Sequence, residues 1–432
     1  MPDVLRLREF ERITCGSSWD AQSRVVAPAQ QRKLERFSES FRRTTGVPAF
    51  ANGPRGTLVA QNFVGVVCLG KYQVEVLPKV EGPDHSVRSN LMRMVAATLN
   101  LTLNAETLGQ MKRTDESVLE VMIRLFCTEL WTAVRRGLVR HYETREDNLV
   151  VMRGRLNATS QLRHNLARPD RLYCTFDEFS EDNGLNRVLK AAISLLLGVT
   201  QSPSSTRSLS ELLFCFQDVT DLLPGAALQA RVVLSRLSDR YRPLVELARL
   251  FLRGYTPDVV AGDGHGFAVL FDMNELFEEY VGRQTRAALK PLGFDVTLQG
   301  PKRHLARTLD GTPSFQLRPD IVVARDGHVN LIIDTKWKRL KEVQLREGVA
   351  SADAYQMFAY AERFDADDVV LVYPHQSALG AWKPQRATYE LGGIGGFGRR
   401  RVAVATVDLS DLSSVRNQIV EVADVCLARA AK

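Results

Sequence analysis

The sequence predicts an α+β protein with a β-rich N-terminal region at 1–85, a helical middle region at 86–265 and a C-terminal α/β domain at 266–432. Three observations support this fold class. Polar and apolar residues alternate at 72–77, apolar residues recur every three or four positions at 117–139, and helical and extended segments succeed one another after position 272. Alternation is typical of a half-buried strand and the longer spacing of an amphipathic helix. A length of 432 residues favours more than one domain.

The individual elements follow from the same patterns. Two short strands are predicted within 58–77, on either side of Gly70-Lys71, and Pro78 ends their pairing. Helices are predicted in the middle region at 117–139, 186–199, 208–216 and 243–252, with a polar, arginine-rich segment at 140–168 and a linker at 257–266. In the C-terminal domain the predicted order is helix 273–289, strands near 295–298, 316–323 and 329–336, helix 352–363 and strand 369–373. This order predicts a mixed sheet flanked by helices.

Composition excludes several classes of protein. Hydrophobic residues make up 45% and charged residues 25% of the chain, as in ordinary globular proteins. We found no apolar run of membrane-spanning length and no signal peptide, so we expect a cytoplasmic protein. The six cysteines lack metal-ligand spacing and are expected to be buried thiols, and the seven scattered histidines do not support a zinc or histidine mechanism. The net charge of +7 is compatible with nucleic-acid binding without indicating it.

Two glycine patterns imitate nucleotide-binding motifs. Gly65 to Tyr72 fits most of a P-loop, but strand-forming residues fill its loop and Tyr72 replaces the hydroxyl that binds Mg²⁺, so a β-hairpin turn is favoured. Gly393, Gly395 and Gly398 spell GxGxxG, yet an extended segment follows where a dinucleotide site needs a helix. We interpret the second pattern as a surface loop. The arginines at 399–401 could lie against a phosphate backbone, although a solvated charge run is favoured.

The chemistry is expected at Asp320, Asp334 and Lys336. Asp334 ends an apolar strand, and Lys336 lies two positions later on the same strand face. If the connection to the preceding strand were only a two-residue turn at Asp326-Gly327, Asp320 would lie opposite Ile333 and Asp334 would face away. An odd-length loop or a bulge instead places Asp320 opposite Asp334, and the hypothesis requires one of these.

Neighbouring carboxylates at these positions predict a magnesium site. Two close carboxylates repel, and a divalent cation removes that cost. Because Mg²⁺ prefers hard oxygen ligands, Asp320, Asp334 and a backbone carbonyl at Thr335, whose side chain should point away, are the expected ligands. Such a cation would activate a water molecule and neutralise negative charge on a phosphate group that is being transferred. Lys336 would orient that water and stabilise the transition state.

Further polar residues could complete this site. The helix 273–289 carries Glu275, Glu278 and Glu279, one of which could hold a water at the metal, and Glu278 is favoured. Gln356 and Tyr360, one helical turn apart, could bond the lysine region and DNA phosphate. Each residue also has a plain structural interpretation: a solvated strand end, a polar helix position or a core tyrosine. The ordered combination favours a nuclease.

At these residues the sequence resembles the PD-(D/E)XK nuclease superfamily, including the QxxxY feature of RecB-like members, over roughly 270–375. The whole chain resembles McrC, the nuclease subunit of McrBC-type modified-cytosine restriction systems. The supporting segments are 72–80, 153–156, and 177–179 with Asp182 and Asn186. The resemblance implies Mg²⁺ as cofactor, double-stranded DNA with modified cytosine as substrate and a hexameric AAA+ GTPase partner, McrB. It also implies that an N-terminal region stimulates the GTPase, for which 140–168 is our candidate.

Two other function classes remain open on the sequence alone. One is a helicase- or repair-associated nuclease that cuts without GTP. The other is a non-catalytic assembly subunit that merely retains the site. Cutting by the isolated chain would favour the first, and absence of cutting with any partner would favour the second.

Overall fold

A computed structural model describes residues 3–101, 116–236, 238–256, 266–340, 348–391 and 400–427. These residues form two compact units, one of 119–269 and one that combines 3–118 with 270–432. The division at positions 85 and 265 stays a prediction. Most of the predicted 257–266 linker, the glycines of the GxGxxG loop and Arg399 lie outside the described residues.

The N-terminal part of the second unit is built mainly of short strands. They are β1 Asp3–Arg8, β2 Arg12–Cys15, β3 Val25–Val26, β4 Phe50–Asn52, β5 Leu58–Ala60, β6 Phe63–Leu69 and β7 Tyr72–Leu77, with helices α1 Pro28–Thr45 and α2 Asp84–Thr98. Strands β2 to β5 form one small sheet, and β7 lies between β1 and β6. Leu69 pairs with Tyr72, and Gly70 adopts φ of 70° in the intervening turn. The predicted hairpin in place of a P-loop is confirmed.

The unit of 119–269 is mostly helical but contains a sheet that the sequence analysis did not predict. Its elements are α3 Val118–Val134, β8 His141–Leu149, β9 Arg155–Leu156, α4 Ala158–His164, β10 Leu172–Ser180, α5 Gly184–Leu197, α6 Pro203–Cys215, α7 Pro224–Gln229, α8 Arg242–Arg253, β11 Tyr255–Thr256 and β12 Gly266–Asp272. Strand β10 pairs with β8 along its length and with β9 on its other side. Gly154 has φ of 69°, and a Cβ there would collide with the carbonyl of Thr175, which explains the glycine between two arginines.

The C-terminal part of the second unit is a mixed sheet between helices, as predicted. Its elements are α9 Met273–Leu289, β13 Asp295–Leu298, β14 Arg303–Arg307, β15 Pro313–Leu317, β16 Ile321–Arg325, β17 His328–Thr335, α10 Ser351–Phe364, β18 Asp368–Pro374, β19 Ala387–Glu390, β20 Arg401–Val407 and α11 Val415–Leu427. The strand order is β13-β16-β17-β18-β20-β19. Strands β17, β18 and β20 run parallel, and the other pairings are antiparallel.

The core of this sheet positions the polar strand ends described below. Apolar side chains of β17 and β18, such as Ile332 and Val369, pack with Met357 and Phe364 of α10 in one cluster. Helix α9 approaches β13 closely, since a Cβ on Gly282 would lie 2.9 Å from a methyl carbon of Leu298. The predicted strand at 316–323 is divided: its start belongs to a separate β14–β15 hairpin, and its end begins β16.

Two predictions on bulk properties can be compared with the structure. No helix in the described ranges is both long and apolar enough to cross a membrane. Four cysteines are buried as expected, whereas Cys215 is half-buried and Cys15 is exposed. The expectation of buried thiols is therefore wrong for Cys15, which belongs to the short β2 strand whose residues other than Ile13 are exposed.

Candidate active site

A β-bulge sets the register between the two strands that carry the acidic residues. Ala324 pairs with Val329, but Val323 pairs with Leu331, so Asn330 is an extra residue in β17. From there the pairing continues to Ile321 opposite Ile333. One step further, this register places Asp320 opposite Asp334. The bulge that the hypothesis required is present.

The two carboxylates lie in an electrostatically unfavourable setting, with Asp334 buried and Asp320 half-buried. The side chain of Asp334 is 1% exposed. Burial and the negative charge of Asp320 raise the pKa of Asp334 to about 7, against the opposing effect of Lys336. Burial also raises the pKa of Asp320, although Oδ2 of Asp320 accepts hydrogen bonds from the Thr335 amide at 2.7 Å and hydroxyl at 2.9 Å. The expectation that Thr335 points away from the site is therefore wrong, because its hydroxyl turns toward Asp320.

Lys336 is held by a chain of hydrogen bonds that ends on the backbone. Its ammonium group forms an ion pair with Asp334 and donates to Oε1 of Gln356 at 3.1 Å. Nε2 of Gln356 donates to the hydroxyl of Tyr360 at 2.8 Å, and that hydroxyl donates to the carbonyl of Arg318 at 3.1 Å. Gln356 thus contacts the lysine, as expected from the sequence. Tyr360 is buried, and its hydroxyl hydrogen-bonds both Gln356 and the Arg318 carbonyl. In this structure Tyr360 therefore holds Gln356 in place beside Lys336.

Helix α9 presents three acids, and the structure distinguishes among them. Burial and the charge of Asp320 raise the pKa of Glu278 to about 7, with a further contribution from Asp334. Glu279 instead pairs with Arg283 at 2.6 Å on the same helix, and Glu275 is exposed. Glu278 is therefore the helix acid that interacts with the two strand carboxylates.

One residue near Glu278 escaped the sequence analysis. Gln299 follows β13, its side chain hydrogen-bonds Glu278, and its backbone amide donates to the carbonyl of Asp320 at 2.7 Å. A glutamine before a Gly-Pro pair is an ordinary loop residue in sequence. No local pattern could have indicated that it lies between the helix acid and the strand acid.

The donor set is compatible with Mg²⁺. Throughout the ranges that the structure describes, no three His, Cys, Asp or Glu side chains are grouped as a ready-made metal cage. Mg²⁺ does not need such a cage, since it usually binds one or two carboxylates and keeps water or phosphate oxygens as its other ligands. Asp320 and Asp334 are hard oxygen donors. Oδ2 of Asp334 is buried and forms the ion pair with the Lys336 ammonium.

Comparison with known proteins places this chain in a family. The family model described as "McrBC 5-methylcytosine restriction system component" matches residues 58–374. The chain belongs to this family. The matched range contains Glu278, Asp320, Asp334, Lys336 and Tyr360, and it confirms the resemblance inferred from the sequence. No curated protein is a significant match.

Two solved structures match the chain. One is a refined half-complex from a tetradecameric assembly of Thermococcus gammatolerans McrB AAA+ hexamers with bound McrC. It has 20% identity and a TM-score of 0.67 over 98% of this chain and 99% of that chain. The other is the cryo-EM structure of the Thermococcus gammatolerans McrBC complex, with 23% identity and a TM-score of 0.49 over 65% of this chain and 86% of that chain. At such identities the first match supports the fold alone.

Proposed function

We propose that this chain is the Mg²⁺-dependent DNA endonuclease subunit of a GTP-dependent restriction complex that cuts DNA containing modified cytosine. The observation that carries the proposal is the bulge at Asn330, because it brings Asp320 opposite Asp334 at the end of a buried strand. A structural strand end has no need for a second acid opposite a buried one. The repulsion between them is a cost that a divalent cation would remove.

Asp320, Asp334 and the Thr335 carbonyl would hold the cation. When bound, Mg²⁺ would supply positive charge that activates water and offsets charge on the phosphodiester. The ammonium group of Lys336 is directed at Asp334 and would stabilise the charge that develops on the phosphate. Gln356 and Tyr360 would keep that group in place and thereby reduce the reorganisation needed during the reaction.

Glu278 would orient the attacking water or take up a proton. A carboxyl with a pKa of about 7 exchanges protons readily at neutral pH, which suits a general acid or base. Its interaction with Gln299 limits the orientations of its side chain. This role separates Glu278 from the exposed Glu275 on the same helix.

We further propose that GTP hydrolysis is performed by a separate AAA+ partner. The P-loop-like string of this chain is a β-hairpin whose turn is Gly70-Lys71. The structural neighbour contains McrC bound to McrB AAA+ hexamers, which supports a similar assembly here. Within the unit of 119–269, the segment 140–168 stays our candidate contact with the GTPase.

The experiment uses the full chain reconstituted with its cognate AAA+ GTPase, GTP, Mg²⁺ and DNA with or without 5-methylcytosine. We expect cutting of modified DNA only when both proteins, GTP and Mg²⁺ are present, and loss of cutting in Asp334→Asn. Asp326→Asn is the matched control, because it makes the same change at an exposed turn position of the same hairpin.

GTP turnover measured in the same reactions identifies the cause of any loss. Asp334→Asn should leave the stimulated turnover unchanged, since the substitution lies in the unit that does not contain 140–168. Wild-type rates of cutting by Asp334→Asn would refute the nuclease site. Cutting by the isolated wild-type chain would favour a GTP-independent nuclease.

A further inference from the structure

The residue after Lys336 connects the candidate active site to the start of the chain. We propose that Glu9 and Lys79 are positioning residues of the nuclease, which hold Lys336 in place through Trp337. The inference rests on the proposed nuclease function. It extends that function to two residues that follow strands β1 and β7 of the N-terminal region.

Glu9 forms a buried acceptor for the indole of Trp337. Glu9 and Trp337 are each 4% exposed. Nε1 of Trp337 lies 2.9 and 3.0 Å from the two carboxylate oxygens of Glu9 and donates to them. Oε2 of Glu9 also accepts from the backbone amide of Lys79 at 2.9 Å. The indole is thus bonded to a carboxylate whose own position is fixed by the end of β7.

Lys79 completes this arrangement, which we call the Glu9–Lys79–Trp337 cluster. The ammonium group of Lys79 lies 3.9 Å from Oε1 of Glu9 and donates to the carbonyl of Trp337 at 3.3 Å. It also lies 5.6 Å from the centroid of the Trp337 ring and 4.6 Å from that of Phe10. One cation therefore contacts the backbone, the ring and the acid that together fix Trp337.

Trp337 directly follows Lys336 in the chain, so the Glu9–Lys79–Trp337 cluster should affect the position of Lys336. Strand β17 ends at Thr335, and the amide of Lys336 makes the last bond to β18, a donation to the carbonyl of Val372 at 2.9 Å. Beyond that bond the sheet no longer fixes the backbone. Trp337 is the next residue, and its side chain and carbonyl are held by Glu9 and Lys79. Loss of the cluster would free the backbone on one side of Lys336 while leaving the sheet intact.

The same tryptophan also contacts the helix that carries Glu278. Its ring lies 5.3 Å, centroid to centroid, from the ring of Phe277 in α9. Glu278 is the next residue along that helix. Trp337 therefore lies beside the neighbours of both the lysine and the helix acid, and a shift in its position would displace groups on two sides of the site.

A buried tryptophan bonded to a buried acid is commonly only a core feature, so the test must separate positioning from stability. We would measure cutting of modified DNA by the reconstituted complex with Glu9→Ala, Glu9→Gln, Trp337→Phe and the double variant Glu9→Ala/Trp337→Phe. Glu39→Ala, at an exposed site on α1, is the matched control. Thermal melts of the same proteins monitor stability.

We expect Glu9→Ala and Trp337→Phe each to lower kcat by about ten- to a hundredfold, with little change in KM for DNA, because small displacements of a catalytic group have effects of this size. Glu9→Gln should retain most activity, since its amide oxygen can still accept from the indole. The double variant should be no slower than either single variant, because both remove one interaction.

Exchange of the Trp337 indole proton, followed by NMR, provides a readout independent of cutting. We expect slow exchange in the wild type and faster exchange in Glu9→Ala. Fast exchange in Glu9→Ala without a change in kcat would overturn this inference but not the nuclease proposal. Additive losses of kcat in the double variant, or losses of kcat that only follow the melting temperature, would do the same. A wild-type complex that never cuts DNA would overturn the nuclease proposal and this inference together.

Discussion

The substitution Asp334→Asn should stabilise the metal-free protein at neutral and alkaline pH. Asp334 is 1% exposed, and burial and the charge of Asp320 both disfavour its ionised form. Asparagine has nearly the same shape and carries no charge. The substitution therefore removes the repulsion without opening a cavity, and it also removes a proposed metal ligand.

The size of the effect follows from the pKa. The pKa of Asp334 rises from 3.8 to about 7. At about 1.4 kcal/mol for each pKa unit, this rise corresponds to a loss of about 4 kcal/mol in the free energy of unfolding when Asp334 is ionised. That figure is an upper limit, because Asp320 shares the proton and the asparagine amide needs partners of its own. A gain of about 1 to 3 kcal/mol is therefore expected, which for a unit of this size corresponds to roughly 2 to 5 °C in Tm.

The gain should depend on pH in a defined direction. The folded state holds the proton of Asp334 more tightly than the unfolded state does, since its pKa is raised. The wild type is therefore penalised fully above pH about 7 and progressively less as pH falls toward 4. The difference in Tm between Asp334→Asn and the wild type should be largest at pH 8 and should disappear near pH 4.

Thermal melts in EDTA at several pH values measure this difference, with Asp326→Asn as the exposed control. Adding Mg²⁺ at pH 8 should raise the Tm of the wild type and leave that of Asp334→Asn unchanged, because only the wild type keeps both carboxylates. An Asp334→Asn protein that is less stable than the wild type at pH 8 without metal would refute the argument that these carboxylates repel.

Three further predictions concern roles within the site and the complex. Lys336→Ala should lose DNA cutting while keeping the Mg²⁺-dependent rise in Tm. Lys336→Arg should also lose most DNA cutting, because a planar guanidinium cannot replace a compact ammonium beside Asp334. Full activity of Lys336→Arg would mean that Lys336 only contacts phosphate. Glu278→Gln should lower kcat at least tenfold while Glu275→Gln has no effect, and equal effects of the two would exclude Glu278 as the specific acid. The isolated chain should hydrolyse neither GTP nor ATP, and when mixed with its AAA+ partner it should raise the GTP turnover of that partner. Measurable hydrolysis by the chain alone would contradict the proposal that a separate protein hydrolyses GTP.

The parts of the site that could be predicted are those that local sequence encodes. Asp334 lies at the end of an apolar strand and Lys336 follows two positions later, so the period of an extended chain already placed them on one face. Gln356 and Tyr360 lie one helical turn apart, and the structure joins them in one hydrogen-bond chain to Lys336. The mixed sheet followed from the order of the segments, because helices that alternate with apolar strands cover both faces of a sheet.

The parts that could not be predicted depend on long-range packing. The sequence allowed two strand registers, one with Asp320 opposite Ile333 and one with Asp320 opposite Asp334. The bulge at Asn330 produces the second register, and the residues of the turn do not predict that bulge. The sequence favoured Glu278 among the three acids of its helix, but only the packing of the folded chain shows that Glu278 is half-buried while Glu275 is exposed. The bond from Trp337 to Glu9 joins residues separated by 328 positions, a contact that no local pattern specifies.

Contacts in the N-terminal region also change how truncations should be designed. The side chain of Asn90 donates to the carbonyl of Leu409 at 2.8 Å, and the amide of Ser377 donates to Glu81 at 2.9 Å. Residues 3–118 therefore belong to the compact unit that carries the nuclease site. Deleting everything before about residue 260 would damage that unit, so loss of GTPase stimulation is better tested by substitutions within 140–168.

We propose that Asp320 and Asp334 together hold a divalent cation. The most direct test is a crystal of the full chain soaked in Mn²⁺ as a substitute for Mg²⁺, with anomalous scattering used to locate the ion. We expect an anomalous peak within about 2.0–2.3 Å of oxygens from both carboxylates, and no peak there in Asp334→Asn. Saturating Mn²⁺ that leaves the two carboxylates without an ion, or that binds only elsewhere on the chain, would contradict it.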